Sequence, residues 1–240
     1  MLRRARDRPA TLAKAHRVLG GHAIRRPMRS RPTPMSNPRL DRLSEYPFDR
    51  LRALLDGVAP AAGRTPIAMS VGEPQHPVPA MVAEVLAANA ADWNRYPPAD
   101  GTRAFREACV GWLGRRYGRA AAGLVDVDRG ILPLSGTREG LFQAALANVP
   151  PAKAGRQPAV LLPNPFYAAY EGAAVVAGAE PVFLDCTAAS GFLPDLDRLE
   201  ADGALLARTA LIYLCSPSNP QGAIADRAYL ARLLALARTH

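Results

Sequence analysis

The sequence predicts an α/β fold: a mostly parallel sheet with helices on both of its faces. Two observations carry this. From about residue 131 onward, short apolar runs alternate with segments of helical periodicity, as in strand–helix–strand units whose strands are buried on both sides. Three turn-forming segments, Ser135-Gly136-Thr137, Asn164-Pro165-Phe166-Tyr167 and Ser216-Pro217-Ser218-Asn219-Pro220-Gln221-Gly222, each follow directly on such a run. Ligands of such sheets sit at the carboxyl ends of the strands, so the three segments are expected to share one edge.

The elements follow in order. Leu40, Leu43, Phe48, Leu51, Leu54 and Leu55 recur at helical spacing, and Pro47 suits a first turn, so a helix is expected over 48–55 as a packing arm. Ile67 to Val71 reads as a short strand, closed by the irregular loop Gly72-Glu73-Pro74-Gln75-His76-Pro77. Gly72 would let a ligand approach the backbone there. Pro79 opens a helix over 80–91, and the loop from Asp92 to Asp100 carries Tyr96. Gly101-Thr102 caps a helix over 103–117 whose apolar face holds Phe105, Ala108, Cys109, Trp112 and Leu113. Ile131 to Leu134 is the next expected strand; Ser135-Gly136-Thr137 is turn and cap chemistry, and a helix runs on through Leu141, Phe142, Ala145 and Leu146. Strands are then expected at 160–162, 181–184 and 210–214, with helices at 168–177, 195–200 and 226–238.

The turn at 135–137 is the centre of this arrangement. A strand, a sharp turn and a helix start direct free backbone N–H groups and the positive end of a helix dipole at one spot, which suits a phosphate. Tyr167 adds an aromatic ring and Asn219 an amide at the same edge. Together they form the equipment for a flat, phosphorylated aromatic ligand.

Charge excludes a polyanion as the partner of the globular part. The net charge of +9 lies in the leader: residues 1–34 hold ten basic residues against Asp7 alone, leaving twenty basic and twenty acidic residues in the rest. No nucleic acid is expected as a partner. The leader has no apolar core of a secretory signal. We read Met35 as the natural start, with 1–34 as upstream sequence and without fixed structure. No apolar run approaches the ~20 residues that span a bilayer, so no membrane partner is expected. Cys109, Cys186 and Cys215 lack metal or disulfide spacing, and His16, His22, His76 and His240 lack ligand spacing. Reduced thiols, a cytoplasmic location and no metal site are expected.

The ordered series Gly72-Glu73-Pro74, Tyr96…Gly101, Ser135-Gly136-Thr137-Arg138-Glu139, Pro165-Phe166-Tyr167 and Ser218-Asn219-Pro220-Gln221-Gly222 resembles the motif series of the class I/II aminotransferases, the fold-type I enzymes that use pyridoxal 5′-phosphate. Within that family the fullest likeness is to the succinyldiaminopimelate transaminases. It rests on Asn37-Pro38-Arg39-Leu40…Tyr46-Pro47-Phe48, on 72–77 and on Asn164 to Ala173. The resemblance implies amino-group exchange between glutamate and N-succinyl-2-amino-6-ketopimelate in lysine biosynthesis, in a homodimer. It also implies roles. The backbone of Gly136, Thr137 and Arg138 would hold the cofactor phosphate. Tyr167 would stack on the pyridine ring, and Asn219 would hydrogen-bond its 3′-oxygen. The Gly72 backbone would meet the substrate carboxylate, and Tyr96 would reach the phosphate of the neighbouring subunit.

The family's covalent lysine, its acidic partner for the ring nitrogen and its carboxylate-binding arginine all follow the Asn219 motif. The chain has two lysines, Lys14 in the leader and Lys153 in a loop. Neither matches the family setting, so no catalytic residue is assigned, and the chain is expected to be inactive by itself. The likeness divides it into a leader at 1–34, an arm and small-domain part at 35–71, and an incomplete cofactor-binding large domain at 72–240. In the family, three further strands lie between the strand at 131–134 and the strand at 210–214. Their absence would leave those two about 19 Å apart, with open edges and apolar faces, and would make the polypeptide unstable or prone to aggregate. The alternatives are a non-catalytic module that keeps the phosphate cup and another class I/II amino-acid aminotransferase. A dinucleotide enzyme is disfavoured, since no G-x-G-x-x-G follows a strand.

Overall fold

The computed structural model describes residues 37–59, 61–64, 67, 72 and 76–240. The chain divides into two units, Met1–Pro38 and Arg39–His240, and the second is described below. The leader, most of the strand expected at 67–71, and Glu73, Pro74 and Gln75 lie outside the described residues.

Helix α1 (Pro47–Leu55) starts on its proline as expected. Its leucines stay exposed, so it covers no core. Helix α2 (Ala80–Ala88) stops three residues short of expectation, where the Asn89 side chain donates to the Val85 carbonyl at 2.8 Å. Such local bonding by Asn competes with the helical ladder. A 3-10 turn over Ala90–Asn94 follows. Helix α3 (Arg103–Tyr117) begins as read: the Thr102 hydroxyl accepts the Phe105 N–H at 3.2 Å. Its apolar face, however, is not covered. Phe105 and Trp112 are about half exposed, and the buried residue of this helix is Arg106. The short helix α4 (Arg119–Gly123) had no separate signal in the sequence.

Ile131 to Leu134 does not form the expected strand. A strand exists only through a neighbour's hydrogen-bond ladder, and none of the described strands lies beside this segment. Helix α5 (Thr137–Asn148) starts directly after it.

The core is a parallel sheet of three strands among the described residues, in the order β2-β1-β3. Strand β1 (Ala159–Asn164) is central, paired on one side with β2 (Glu180–Asp185) and on the other with β3 (Thr209–Ile212). The β1–β2 register is uninterrupted from Ala159↔Glu180 to Asn164↔Asp185. On the β3 side the register shifts between Ala159 and Val160, leaving Ala210 unopposed, and the Tyr213 N–H extends the ladder to the Leu161 carbonyl at 3.0 Å. Between β1 and β2 runs helix α6 (Ala168–Ala177), with Gly178 in the left-handed conformation as its C-cap. Arg39 lies over that end and donates to the Val176 carbonyl at 3.0 Å, a cation at the negative pole of a helix. Between β2 and β3 lie α7 (Leu196–Ala201) and α8 (Gly203–Arg208), and α9 (Arg227–Thr239) follows β3. Asp195, Asp202 and Asp226 accept backbone N–H groups as the caps of these three helices.

Side-chain alternation along β1 builds two cores. Val160 and Leu162 pack with Tyr170, Ala174 and Tyr213 under α5 and α6. Ala159 and Leu161 pack with Leu196, Leu199, Leu206 and Leu233 under α7, α8 and α9. Burying such a side chain contributes roughly 1.5–3 kcal/mol, so the middle strand dominates the stability of this layer arrangement.

Candidate functional site

Three loops leave the carboxyl ends of the sheet and meet around one cavity of about 200 Å³. Its lining includes Tyr167 and Tyr170 from the start of α6, Cys186 after β2, and Cys215, Ser218 and Asn219 after β3. The sheet holds the ends of these loops in place. Asn164 donates to Asp185 at 2.8 Å, tying the tips of β1 and β2. The turn after β3 is held by its serines: Ser218 Oγ accepts the Ala223 N–H at 2.9 Å, and Ser216 Oγ accepts the Ala225 N–H at 3.0 Å. Asn219 sits at the tip of this turn, exposed, with no hydrogen bond from its side chain among the described residues.

Aromatic rings floor the site. Tyr170 and Tyr213 stack face to face at 4.3 Å, and Tyr167 stands edge-on to Tyr170 at 5.7 Å. The Tyr213 hydroxyl donates to the Leu141 carbonyl of α5 at 2.6 Å, so the segment just after β3 is bolted to the helix that begins beside the cavity. Burial pushes the Tyr170 and Tyr213 phenols, and the Cys186 thiol, above their ordinary values, because the charged forms lose water. Sequence reasoning missed Tyr170 as a site residue, and Tyr213 as the ring packed beneath it. For Tyr170 a signal was available, since three residues along a helix from Tyr167 is the same face.

The start of α5 lies next to this floor. Arg138 Nε donates to the Tyr167 hydroxyl at 2.5 Å, with the guanidinium carbon 5.8 Å from the ring centroid. That bond to Tyr167 holds the Arg138 guanidinium above its ordinary value. The helix cap is Gly136, at φ +150°, and a glycine has no side chain to bond the first amides. The cap chemistry expected of Ser135 and Thr137 is thereby replaced by open N–H groups, the arrangement that accepts an anion. A side chain at Gly136 would be strained by its φ of +150°, and a Cβ there would stand 2.6 Å from an oxygen of the flexible Glu139 side chain, whose carboxylate lies at the mouth of the helix.

The expected residues are therefore brought together in part. Tyr167 and Asn219 share the cavity, and Arg138 touches Tyr167. Gly136 and Thr137 lie at the adjoining helix start without lining the cavity itself. Tyr96 is fully exposed at 102% and does not line it either, and Gly72 is exposed. Lys153 lies at the opposite end of the sheet, where its ammonium donates to the carbonyl of Thr209, the first residue of β3, at 2.5 Å. The cavity lies about five residues of extended chain away, roughly 16 Å. Among the described residues no group of His, Cys, Asp and Glu could hold a metal ion, and no helix is long and apolar enough to cross a membrane.

Comparison with known proteins agrees with this geometry. The family described as aminotransferase class I and II matches residues 64–240. The chain is 34% identical over 206 residues to an LL-diaminopimelate aminotransferase of Moorella thermoacetica, covering 84% of this chain and 49% of that protein. It is 35% identical over 207 residues to the enzyme of the same name from Syntrophobacter fumaroxidans, covering 84% and 50%. Among solved structures, an aminotransferase from Neisseria meningitidis superposes with a TM-score of 0.77 at 35% identity, over 85% of this chain and 50% of that one. Aminotransferase AspB from Helicobacter pylori gives 0.69 at 29% identity, over 82% and 49%. The chain spans about half the length of the curated relatives it matches. These neighbours share fold type I, and the enzymes of the family depend on pyridoxal 5′-phosphate. On the matched residues, the parallel sheet and the loops at its carboxyl edge, this chain belongs to the class I and II aminotransferases.

Proposed function

We propose that this chain supplies the phosphate- and ring-holding half of a pyridoxal-phosphate-dependent aminotransferase that acts on a diaminopimelate-type substrate. The observation that carries the reading is the shared cavity of Tyr167 and Asn219 beside the uncapped start of α5. When bound, the cofactor supplies the electron sink for amino-group transfer. The amides of Gly136, Thr137 and Arg138 would hold its phosphate at the positive helix end. Tyr167 would cover the ring face, fixed by Arg138 and Tyr170. The Asn219 amide is free to meet a polar ring substituent. The Gly72 backbone would meet the substrate carboxylate, and Tyr96, exposed on its loop, would serve the phosphate of a second copy in a cytoplasmic homodimer. Lys153 is committed at the far end of the sheet, which supports the reading that this polypeptide holds the cofactor without a covalent link and does not turn over alone.

For the substrate, the names of the relatives favour LL-diaminopimelate, with a free distal amine. The motifs at 37–48, 72–77 and 164–173 favour the N-succinyl form as a second reading. One set of measurements tests both levels. The purified chain is dialysed against pyridoxal phosphate, reduced with borohydride and digested for mass spectrometry. Reversible binding without a labelled lysine is expected; a label on Lys14 or Lys153, or no binding, would overturn the reading. Combined with the carboxyl-terminal half of the Moorella relative, the chain is expected to exchange amino groups with LL-diaminopimelate in preference to its succinylated form. The opposite preference would establish the second reading.

A further inference from the structure

Arg106 is the buried charged residue among those described, 8% exposed, and it sits neither in the cavity nor in either apolar core. Its Nη1 donates to the Asp100 carboxylate at 2.5 Å, the Asp100 carbonyl at 3.0 Å and the Gly101 carbonyl at 2.9 Å. Its Nη2 reaches Asp128 at 3.4 Å, a carboxylate that Arg103 also holds, at 3.2 Å. Its Nε is buried without a partner among the described residues. Removing a guanidinium from water is costly, and the fork recovers that cost by gathering two loops at once.

Both loops lead to the start of α5. Asp128 belongs to a tight turn, in which Asp126 Oδ1 accepts the Asp128 and Arg129 N–H groups, immediately before Ile131. Gly101 packs on Pro133: a Cβ there would stand 3.1 Å from the proline ring. Leu134 in turn fills the space over Gly140 of α5, where a Cβ would stand 2.3 Å from its methyl group. The segment 131–134 has no strand ladder among the described residues, these contacts hold it, and Ser135-Gly136 follow it directly.

We infer that Arg106 is a positioning residue for the anion-binding turn at Gly136–Arg138. It sets the turn through Asp128 and the Gly101–Pro133 contact in place of a β-ladder. The inference rests on the proposed phosphate role of that turn. The test compares wild type, Arg106→Met and Arg106→Lys by hydrogen exchange of peptides covering 131–140 and 159–164, and by pyridoxal phosphate affinity in dialysis. In Arg106→Met, exchange is expected to rise across 131–140 while β1 stays protected. Affinity is expected to fall about tenfold to a hundredfold, the scale of losing one hydrogen bond to a charged group. Arg106→Lys is expected to restore little, because an ammonium cannot span both loops. Unchanged exchange at 131–140, or equal loosening of β1, would overturn the inference. If wild type binds no cofactor, the functional reading fails, and the exchange comparison still decides the role of Arg106. Should Arg106→Met not fold, Asp128→Asn carries the same comparison from the other end of the contact.

Discussion

Arg138 and Tyr167, twenty-nine positions apart in sequence, are joined side chain to side chain at 2.5 Å, a contact between the first turn of α5 and the loop after β1. The phenol accepts the bond while Tyr167, partly exposed, lines the cavity. Tyr167→Phe keeps the ring and loses an exposed hydrogen bond, about 1 kcal/mol or less. It is expected to weaken pyridoxal phosphate binding less than about fivefold. Tyr167→Ala removes the stacking surface and is expected to cost about tenfold or more, measured by equilibrium dialysis.

Tyr213 serves stability. Its ring is buried on Tyr170 and its hydroxyl donates to the Leu141 carbonyl. Tyr213→Phe is expected to lower unfolding free energy by about 1 kcal/mol, and Tyr213→Ala by about 3–5 kcal/mol through the cavity left behind. Urea unfolding followed by far-UV circular dichroism checks both.

The thiols at the cavity should differ in reactivity. Cys186 is buried, and burial pushes its thiol up, which disfavours the nucleophilic thiolate. Cys215 is half-buried on the cavity wall. Alkylation at neutral pH, followed by peptide mass spectrometry, is expected to label Cys215 before Cys186, and bound pyridoxal phosphate is expected to slow labelling of Cys215.

Alkaline stability should depend on Tyr229. Burial pushes its phenol from 10.0 up to about 12, and its hydroxyl donates to the Pro194 carbonyl at 2.8 Å. A pKa raised on folding means that the native state favours the neutral form. Its contribution is complete below about pH 10 and is lost as pH rises toward about 12. Tyr229→Phe is expected to lose about 1 kcal/mol near neutrality and to show a shallower alkaline decline. Tyr170, Tyr213 and Cys186, shifted in the same direction, contribute to the decline that remains.

Apolar surface should make the isolated chain self-associate. Leu132 and Leu134 are 66% and 46% exposed, and β3 pairs on one side only among the described strands. Open strand edges and apolar patches of this kind drive association. Sedimentation is expected to show concentration-dependent oligomers, reduced by Leu132→Lys. A cooperative, monomeric melt of the unmodified chain would refute this.

Local chemistry was legible where it acts within a few residues. The helix at 168–177 has the expected bounds, and Thr102 caps its helix as read; Asp195 and Asp226, read as first helical residues, are the caps of α7 and α9. Val160 to Leu162 read as a doubly buried strand because apolar residues continue without alternation, and both cores meet there. Arg106 was not legible, since arginine at a helix start normally faces water. Phe105 and Trp112, on the apolar face that periodicity marks, stay about half exposed, because periodicity names a face and not what covers it.

By itself, then, the sequence determined the strand–helix alternation, the Thr102 cap, and the two segments after β1 and β3 that meet at one sheet edge, because propensity and patterning act over short range. Tertiary structure decided the rest. Pairing denied Ile131–Leu134 the status of a strand, since a ladder needs a neighbour. Packing brought Tyr170 and Tyr213 under Tyr167, sent Lys153 to the far end of the sheet, and buried Arg106 between two loops. Contacts between residues distant in sequence depend on where whole elements stand, and no local pattern records that.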